Sequence, residues 1–148
     1  MVIVGVIGGR DVSPWHLGEA EKVGRLVALK GGLLICGGLE GVMEAVCKGA
    51  KKGGGLTVGV LPQGDKKHAN RYVDIPIATG MGAARNAIIA QTADVLIAIG
   101  GSYGTLSEIA YALQFNKPVI GLKTWDVEGV IVAETAAEAV EKAFSYHK

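Results

Sequence analysis

Short, continuous apolar runs alternate with amphipathic segments along the chain, and this alternation constrains the fold more than any other feature. The opening run, VIVGVI, is rich in β-branched residues and shows no polar alternation. A run of that kind is typical of a strand buried on both faces of a sheet. The same criterion predicts seven strands, the last one short: Val2–Ile7, Leu33–Cys36, Leu56–Leu61, Tyr72–Ala78, Asp94–Ile99, Val119–Leu122 and the segment VIVAET.

Helical patterns fill the intervals between these runs, and strand–helix alternation at this spacing predicts one doubly wound α/β domain over residues 1–148. We expect a Rossmann-like parallel sheet of about six to seven strands with helices on both faces. Ser13 and Pro14 suit the start of the first helix, and Pro76 indicates either an edge position or an early end of its strand. The predicted helices are Pro14–Leu29, Gly41–Lys52, Gly82–Thr92, Thr105–Phe115 and Ala136–Tyr146.

Composition excludes several classes of protein. The net charge is +1 and no basic stripe carries interleaved aromatics, so neither nucleic acid nor a membrane is an expected partner. The apolar N-terminal segment lacks a basic region and is too short to span a bilayer. Cys36 and Cys47 form neither a disulfide framework nor a CxxC site, which favours a cytoplasmic protein with reduced thiols.

Glycine is over-represented, with 23 residues, and many glycines follow directly after predicted strands. Ligands of open parallel sheets bind outside the carboxyl ends of the strands, where glycine lets backbone N–H groups approach an anion closely. Ordinary βα turns also use glycine, but four such turns on one edge favour a site for a phosphorylated ligand. These glycines are Gly8, Gly9, Gly37, Gly38, Gly80, Gly82, Gly100, Gly101 and Gly104.

The commonest phosphate-binding motifs are missing. No GxxxxGK[ST] sequence is present, and the first turn, GGRDVSPW, does not match GxGxxG. The segment GMGAAR is similar to GxGxxG, but Arg85 occupies the position of the third glycine. NAD and ATP bound in the usual ways are therefore disfavoured, and no cofactor is expected. No metal is expected either, because His16, His68 and His147 lack ligand spacing.

Arg85 and Glu108 are the strongest candidates for chemistry. A cation in the first turn of a helix opposes the helix dipole, so Arg85 suits a phosphate or carboxylate partner; the alternative is a solvated surface arginine. Thr105-x-x-Glu108 matches a capping box, whereas a carboxylate beside a glycine loop can also act as a base. The sequence leaves both roles of Glu108 open.

Other polar and aromatic residues lie at the same predicted edge. Arg10 and Asp11 follow the first strand, and Asn86 is a possible hydrogen-bonding partner. Tyr103 is placed either to stack on a base or to cover the glycine loop. Two serines near this loop have no nearby histidine and do not indicate a nucleophile: Ser102 and Ser107.

Three segments resemble one known superfamily over nearly the whole chain. GGSYGTLSE resembles the PGGxGTxxE motif of the Lonely Guy and "lysine decarboxylase-like" proteins, which have Rossmann-type folds. GMGAARN is similar to their MxxRK segment, and CGGLEGVMEAVCKGA is similar to their GGxxGLM segment. The paired motifs are specific to this superfamily, whereas either motif alone is weak.

The resemblance implies a phosphoribohydrolase, which cleaves the N-glycosidic bond of a nucleoside 5′-monophosphate. Arg85 and Glu108 would then be the catalytic pair. Members of the superfamily are usually dimers with the site near the interface, so a homodimer or a higher homo-oligomer is expected. A PLP-dependent lysine decarboxylase is not implied, because no lysine has a suitable context. By the same resemblance the 5′-phosphate would be held by Gly100, Gly101, Ser102, Gly104 and Thr105.

The chain also departs from the enzyme motifs. Ile99 replaces the motif proline and Asn86 replaces the lysine that follows the arginine. These features look closer to a short branch of largely uncharacterised bacterial and archaeal proteins and to molybdenum-cofactor carrier proteins. The carriers bind a pterin phosphate without turnover. Two hypotheses follow: a phosphoribohydrolase, or a non-catalytic protein that binds or carries a nucleotide or the molybdenum cofactor.

Overall fold

The computed structural model describes residues 1–146, and across them seven strands form one parallel sheet. The order of the strands is β4-β3-β2-β1-β5-β6-β7, and every neighbouring pair is parallel. This arrangement confirms the predicted doubly wound α/β fold. The strands are β1 (Ile3–Gly8), β2 (Leu33–Cys36), β3 (Thr57–Leu61), β4 (Ile75–Ala78), β5 (Val95–Ile99), β6 (Val119–Leu122) and β7 (Ile131–Ala133).

The helices of the described chain cover both faces of the sheet. The first, second and fifth pack on one face, and the third and fourth pack on the other. None of them combines the length and the apolar character that crossing a membrane requires. The helices are α1 (Pro14–Leu29), α2 (Val42–Lys52), α3 (Arg85–Thr92), α4 (Tyr103–Gln114) and α5 (Ala136–Ser145), with short 3-10 turns at Lys66–His68 and Gly82–Ala84.

The central strands separate two apolar layers, which explains why their sequences are continuous apolar runs. In β1, Val4 and Val6 face α1, α2 and α5, whereas Ile7 faces α3 and α4. Every residue of β5 is buried. A strand that packs on both faces has no position at which water can solvate a polar side chain.

Two elements begin three residues later than predicted. Residues Gly82–Ala84 form a 3-10 turn, so α3 begins at Arg85. Strand β4 begins at Ile75 instead of Tyr72. The residues before it form a turn held by side chains: Asn70 Oδ1 accepts from the Tyr72 N–H at 3.0 Å, and Asp74 Oδ2 accepts from the Thr57 N–H at 3.0 Å. These polar contacts replace the strand ladder there. The predicted edge position of β4 is confirmed.

Helices α1 and α2 cross so closely that only glycine fits at the crossing. A Cβ atom added to Gly24 would lie 1.9 Å from the Val46 carbonyl oxygen, and one added to Gly49 would lie 1.8 Å from the Glu21 carbonyl oxygen. Both contacts are with backbone atoms, which cannot move aside as the end of a flexible side chain can. This pair of glycines therefore sets the spacing of the helices that cover β1 and β2.

Replacing Gly24 with alanine should destabilise the protein because α1 and α2 must separate to admit the methyl group. We expect a loss of about 1–3 kcal/mol in the free energy of unfolding, measured by denaturant titration followed by circular dichroism. Gly18→Ala is the matched control, since a Cβ atom at Gly18 meets no atom within 4 Å. That control should stabilise α1 by about 0.5–1 kcal/mol. Equal effects of the two substitutions would contradict the packing argument.

Candidate functional site

The strand order reverses between β1 and β5, and the glycine turns that follow these strands lie side by side. A Cβ atom added to Gly9 would lie 3.8 Å from the backbone nitrogen of Gly101. The turn after β5 begins with Gly100 at φ +66°, a conformation that favours glycine. Such a reversal creates a crevice at the carboxyl ends of the strands, which is where ligands of this class of fold bind.

Arg85 is the first residue of α3, and it is buried, with 8% of its surface exposed. Its Nε donates to the Val60 carbonyl oxygen at 2.9 Å, and its Nη1 donates to Asn86 Oδ1. A Cβ atom added to Gly37 would lie 2.6 Å from Nη2, so that glycine makes room for the guanidinium group. The alternative of a solvated surface arginine is therefore wrong.

Asn86 and Ser107 connect α3 to α4 through hydrogen bonds. Asn86 Nδ2 donates to Ser107 Oγ at 3.1 Å, and Ser107 Oγ donates to the Gly104 carbonyl oxygen at 2.7 Å. Asn86 also accepts from Arg85, as described above. The guanidinium group is thus held in a fixed position relative to the start of α4.

The capping-box prediction for Thr105 and Glu108 is wrong, because α4 begins at Tyr103 and its N-cap is Ser102. Thr105 occupies the third helical position, where its Oγ1 accepts from the Ser102 N–H at 3.3 Å. Glu108 lies beyond the first turn, so its carboxyl group is not needed for capping. The helix starts earlier than predicted because the glycine turn after β5 leads directly into Ser102.

Glu108 is buried, with 7% of its surface exposed, and it faces the same region as Arg85. Burial raises the pKa of Glu108 to about 8, although the positive charge of Arg85 opposes this shift. Burial also lowers the pKa of Arg85, against the influence of Glu108. Within residues 1–146 no ion pair of 4.0 Å or less joins the two groups. Near neutral pH the carboxyl group can therefore both hold and release a proton.

Four of the predicted ligand-binding glycines differ clearly in the space beside their backbone. Close packing accounts for Gly8 and Gly38, since added Cβ atoms would lie 2.5 Å from the Ile99 carbonyl oxygen and 2.7 Å from Leu61. Gly82 has φ +60° and no atom within 4 Å of an added Cβ, and Gly104 meets only Ser102 Oγ at 3.6 Å. Gly82 and Gly104 therefore leave open space next to their backbone.

Several other candidates lie outside the Arg85–Glu108 region. Arg10 and Asp11 are exposed, and Arg10 Nε lies 4.0 Å from a Glu40 carboxyl oxygen. His16 Nε2 lies 3.1 Å from the Lys123 carbonyl oxygen. His68 is exposed in the first 3-10 turn, and His147 lies outside the described residues.

Two residues that the sequence did not indicate hold the glycine turn after β5. Thr124 Oγ1 donates to the Gly100 carbonyl oxygen, and Trp125 Nε1 donates to the Ser102 carbonyl oxygen at 3.0 Å. Both residues belong to the segment between β6 and β7. A tryptophan in a polar loop was the available signal, but only the tertiary structure places it next to this turn.

Cys36 and Cys47 are also brought together in a way that their sequence separation did not indicate. Their sulfur atoms lie 3.4 Å apart, both side chains are fully buried, and both thiols are free. The Gly38 N–H donates to Cys36 Sγ at 3.4 Å. The pair therefore supports the glycine turn after β2.

The raised pKa of Glu108 predicts a pH-dependent stability. Between the ordinary pKa of 4.5 and about 8, the unfolded chain has lost this proton while the folded protein retains it. The contribution of Glu108 is therefore complete below pH 4.5 and decreases as the pH rises towards about 8. We expect the free energy of unfolding of the wild type to decrease relative to that of Glu108→Gln by about 1.4 kcal/mol per pH unit in this range. If the free energies of unfolding of the two proteins, measured by denaturant titration, change with pH in the same way, the pKa of Glu108 is not raised.

Comparison with known proteins places this geometry in a family. The model of the SLOG cluster4 family matches residues 1–147. An uncharacterised protein of Archaeoglobus fulgidus is 51% identical, over 96% of this chain and 94% of that protein. The cytokinin riboside 5′-monophosphate phosphoribohydrolase of Mycobacterium tuberculosis is 32% identical, over 76% of this chain and 67% of that enzyme.

A solved structure agrees with the same assignment. The molybdenum cofactor binding protein from the phototrophic bacterium Rippkaea orientalis superposes with a TM-score of 0.94 and 39% sequence identity, over 99% of this chain and 98% of that one. Likenesses to a phosphoribohydrolase and to a cofactor-binding protein fit the Lonely Guy-like superfamily indicated by the motifs. The chain belongs to the SLOG cluster4 family.

Proposed function

We propose that this protein binds a phosphorylated, nucleotide-like small molecule at the glycine-rich edge of the sheet and hydrolyses the N-glycosidic bond of a nucleoside 5′-monophosphate. The observation that carries the proposal is the burial of Arg85 and Glu108 in one electrostatically coupled region at the glycine edge. Two ionisable groups of opposite type, buried together at the carboxyl edge of a parallel sheet, are a typical functional arrangement.

The phosphate group would bind at the start of α4. The first N–H groups of a helix have no partner within the helix, and the helix dipole favours an anion there. Gly104 leaves open space beside its backbone, so an oxygen atom can approach closely. The residues proposed to hold the phosphate are Gly100, Gly101, Ser102, Gly104 and Thr105, with Gly9, Gly37 and Gly82 from the neighbouring turns contributing to the rest of the pocket.

In the proposed reaction, Glu108 moves a proton between water and the leaving base. Its carboxylate form accepts a proton from the water that attacks C1′ of the ribose. The C1′–N bond breaks with its electron pair remaining on the base, which then takes the proton from Glu108. A pKa of about 8 suits both steps near neutral pH. The fixed positive charge of Arg85 would orient the anionic substrate.

The alternative function is non-catalytic binding or carriage of a nucleotide or of the molybdenum cofactor. The Rippkaea orientalis protein superposes over 99% of this chain with 39% sequence identity. Asn86 also supports this alternative. It stands where the enzyme motif has a lysine, and its side chain is engaged with Arg85 and Ser107. The site thus has one cation fewer than the motif provides.

Release of free base from a panel of nucleoside 5′-monophosphates, followed by chromatography, tests the catalytic function. We expect turnover by the wild type and a loss of about 100- to 10,000-fold in Glu108→Gln, because general acid–base catalysis accounts for an effect of that size. Glu141→Gln, an exposed substitution on α5, is the control and should retain full activity. Equal activity of wild type and Glu108→Gln would remove Glu108 from the mechanism.

Thermal unfolding with added ligand separates the two functions. A ligand present at 100 times its Kd should stabilise the folded protein by about 2.7 kcal/mol. Stabilisation by a nucleotide or by the molybdenum cofactor without any release of base supports the carrier function. If none of these compounds stabilises the protein, phosphorylated-ligand binding itself is wrong.

We further propose that two copies of the chain associate through the face formed by α3, α4 and β4. The only charged residues in α3 and α4 are Arg85 and Glu108, and both are buried. Ile75 and Ile77 of β4 are each 45% exposed on the edge of the sheet. A face that exposes apolar residues and no charge is typical of the core of a protein–protein interface.

Placing a charge on this face should prevent association. We expect a wild-type mass of twice 15.3 kDa in light scattering coupled to size-exclusion chromatography, and a decrease towards 15.3 kDa for Ala110→Arg. Ala110 is exposed on α4, so an arginine there should not disturb the fold of a single chain. Ser145→Arg on α5 is the control and should leave the mass unchanged. A monomeric wild type would contradict this proposal.

A further inference from the structure

Tyr103, the first residue of α4, presents its aromatic ring to solvent directly beside the glycine turn that follows β5. Its exposed fraction is 84%, so packing within the fold does not account for the ring. Single exposed aromatic residues are common and need no special explanation. The surroundings of Tyr103 make this one different.

Trp125 supports the ring of Tyr103 from one side. The two ring centroids lie 6.1 Å apart and the ring planes differ by 25°, which is a stacked arrangement. Trp125 is itself fixed, since its Nε1 donates to the Ser102 carbonyl oxygen at 3.0 Å. A Cβ atom added to Gly101 would lie 2.7 Å from that nitrogen, so the indole ring packs directly on the glycine turn. We call Tyr103 and Trp125 the aromatic platform.

A cavity of about 360 Å³ adjoins the aromatic platform and combines two features that a phosphorylated ligand requires. Its wall includes the glycine turn and a cation, Lys123, whose Nζ is held 4.2 Å from the centre of the Trp15 ring. Because the charge of Lys123 is offset by that of Asp126 in this lining, the backbone N–H groups of the glycine turn would bind the anion, within reach of an exposed aromatic face. The lining residues are Gly100, Gly101, Lys123, Thr124, Trp125 and Asp126.

We propose that the outer face of Tyr103 is the stacking surface for a planar, nitrogen-containing aromatic ring of the ligand whose phosphate group binds at the glycine turn. This inference rests on the proposed binding of a phosphorylated ligand. Tyr103 is stacked beside Trp125 and remains 84% exposed, so a ligand ring can add to the pair. Because Trp125 is already fixed to the turn, binding immobilises few additional side chains. Stacking requires only a flat ring, so purines and pterins both fit.

Binding measurements with a matched set of ligands test the role of Tyr103. Isothermal titration calorimetry with AMP, GMP and ribose 5-phosphate compares ligands that share the phosphate but differ in the ring. We expect Tyr103→Leu to bind both nucleotides about 5- to 100-fold more weakly than the wild type, in keeping with the loss of one base–aromatic stack. Ribose 5-phosphate has no ring to stack, so its affinity should change less than twofold. Tyr103→Phe should behave as the wild type.

Tyr146→Leu provides the control. Tyr146 is 54% exposed at the end of α5, which packs on the other face of the sheet from α4. This variant should bind all three ligands as the wild type does. If Tyr103→Leu lowers the affinity for nucleotides and for ribose 5-phosphate equally, or lowers neither, the stacking role is wrong while phosphate binding stands. If the wild type binds none of the three, the proposed function fails, and the stacking role fails with it.

Discussion

The buried positive charge of Arg85 is the constraint on which the rest of the glycine edge depends. A charge removed from water requires hydrogen bonds and a compensating charge. Val60 and Asn86 provide the hydrogen bonds, and Gly37 provides the space. Glu108 provides only part of the compensation, because burial raises its pKa to about 8 and its carboxyl group is only partly ionised near neutral pH. An anionic ligand would supply the remaining negative charge, which favours the proposed binding of a phosphate group.

The turn after β5 is positioned by residues from distant parts of the chain. Trp125 and Thr124 hold it from the side of β6, while Ser107 and Asn86 connect the start of α4 to α3. The turn thus lies between the Arg85–Glu108 pair and the aromatic platform. A ligand with its phosphate at this turn would have the proposed catalytic groups on the α3 side and the platform on the β6 side.

Sequence-based predictions were correct where the interactions are local and wrong where the interactions join distant parts of the chain. The start of α1 was predicted correctly because Ser13 and Pro14 act locally: Ser13 Oγ accepts from the His16 N–H at 3.4 Å. The start of α4 was predicted wrongly, since Ser102 and Thr105 both suit a cap and the glycine turn after β5 selects Ser102. The burial of Arg85 was equally unpredictable, because a first-turn arginine is usually solvated unless the tertiary structure covers it.

The sequence by itself determined the parallel α/β sheet and the edge at which the glycines gather. Hydrophobic periodicity and turn residues are local properties, and the handedness of βαβ connections leaves few topologies to choose from. Only the tertiary structure decided that Arg85 and Glu108 are buried together, that Gly8 and Gly38 pack closely while Gly104 stays open, and that Trp125 supports Tyr103. Those outcomes depend on distances between segments far apart in the chain, which local periodicity does not encode.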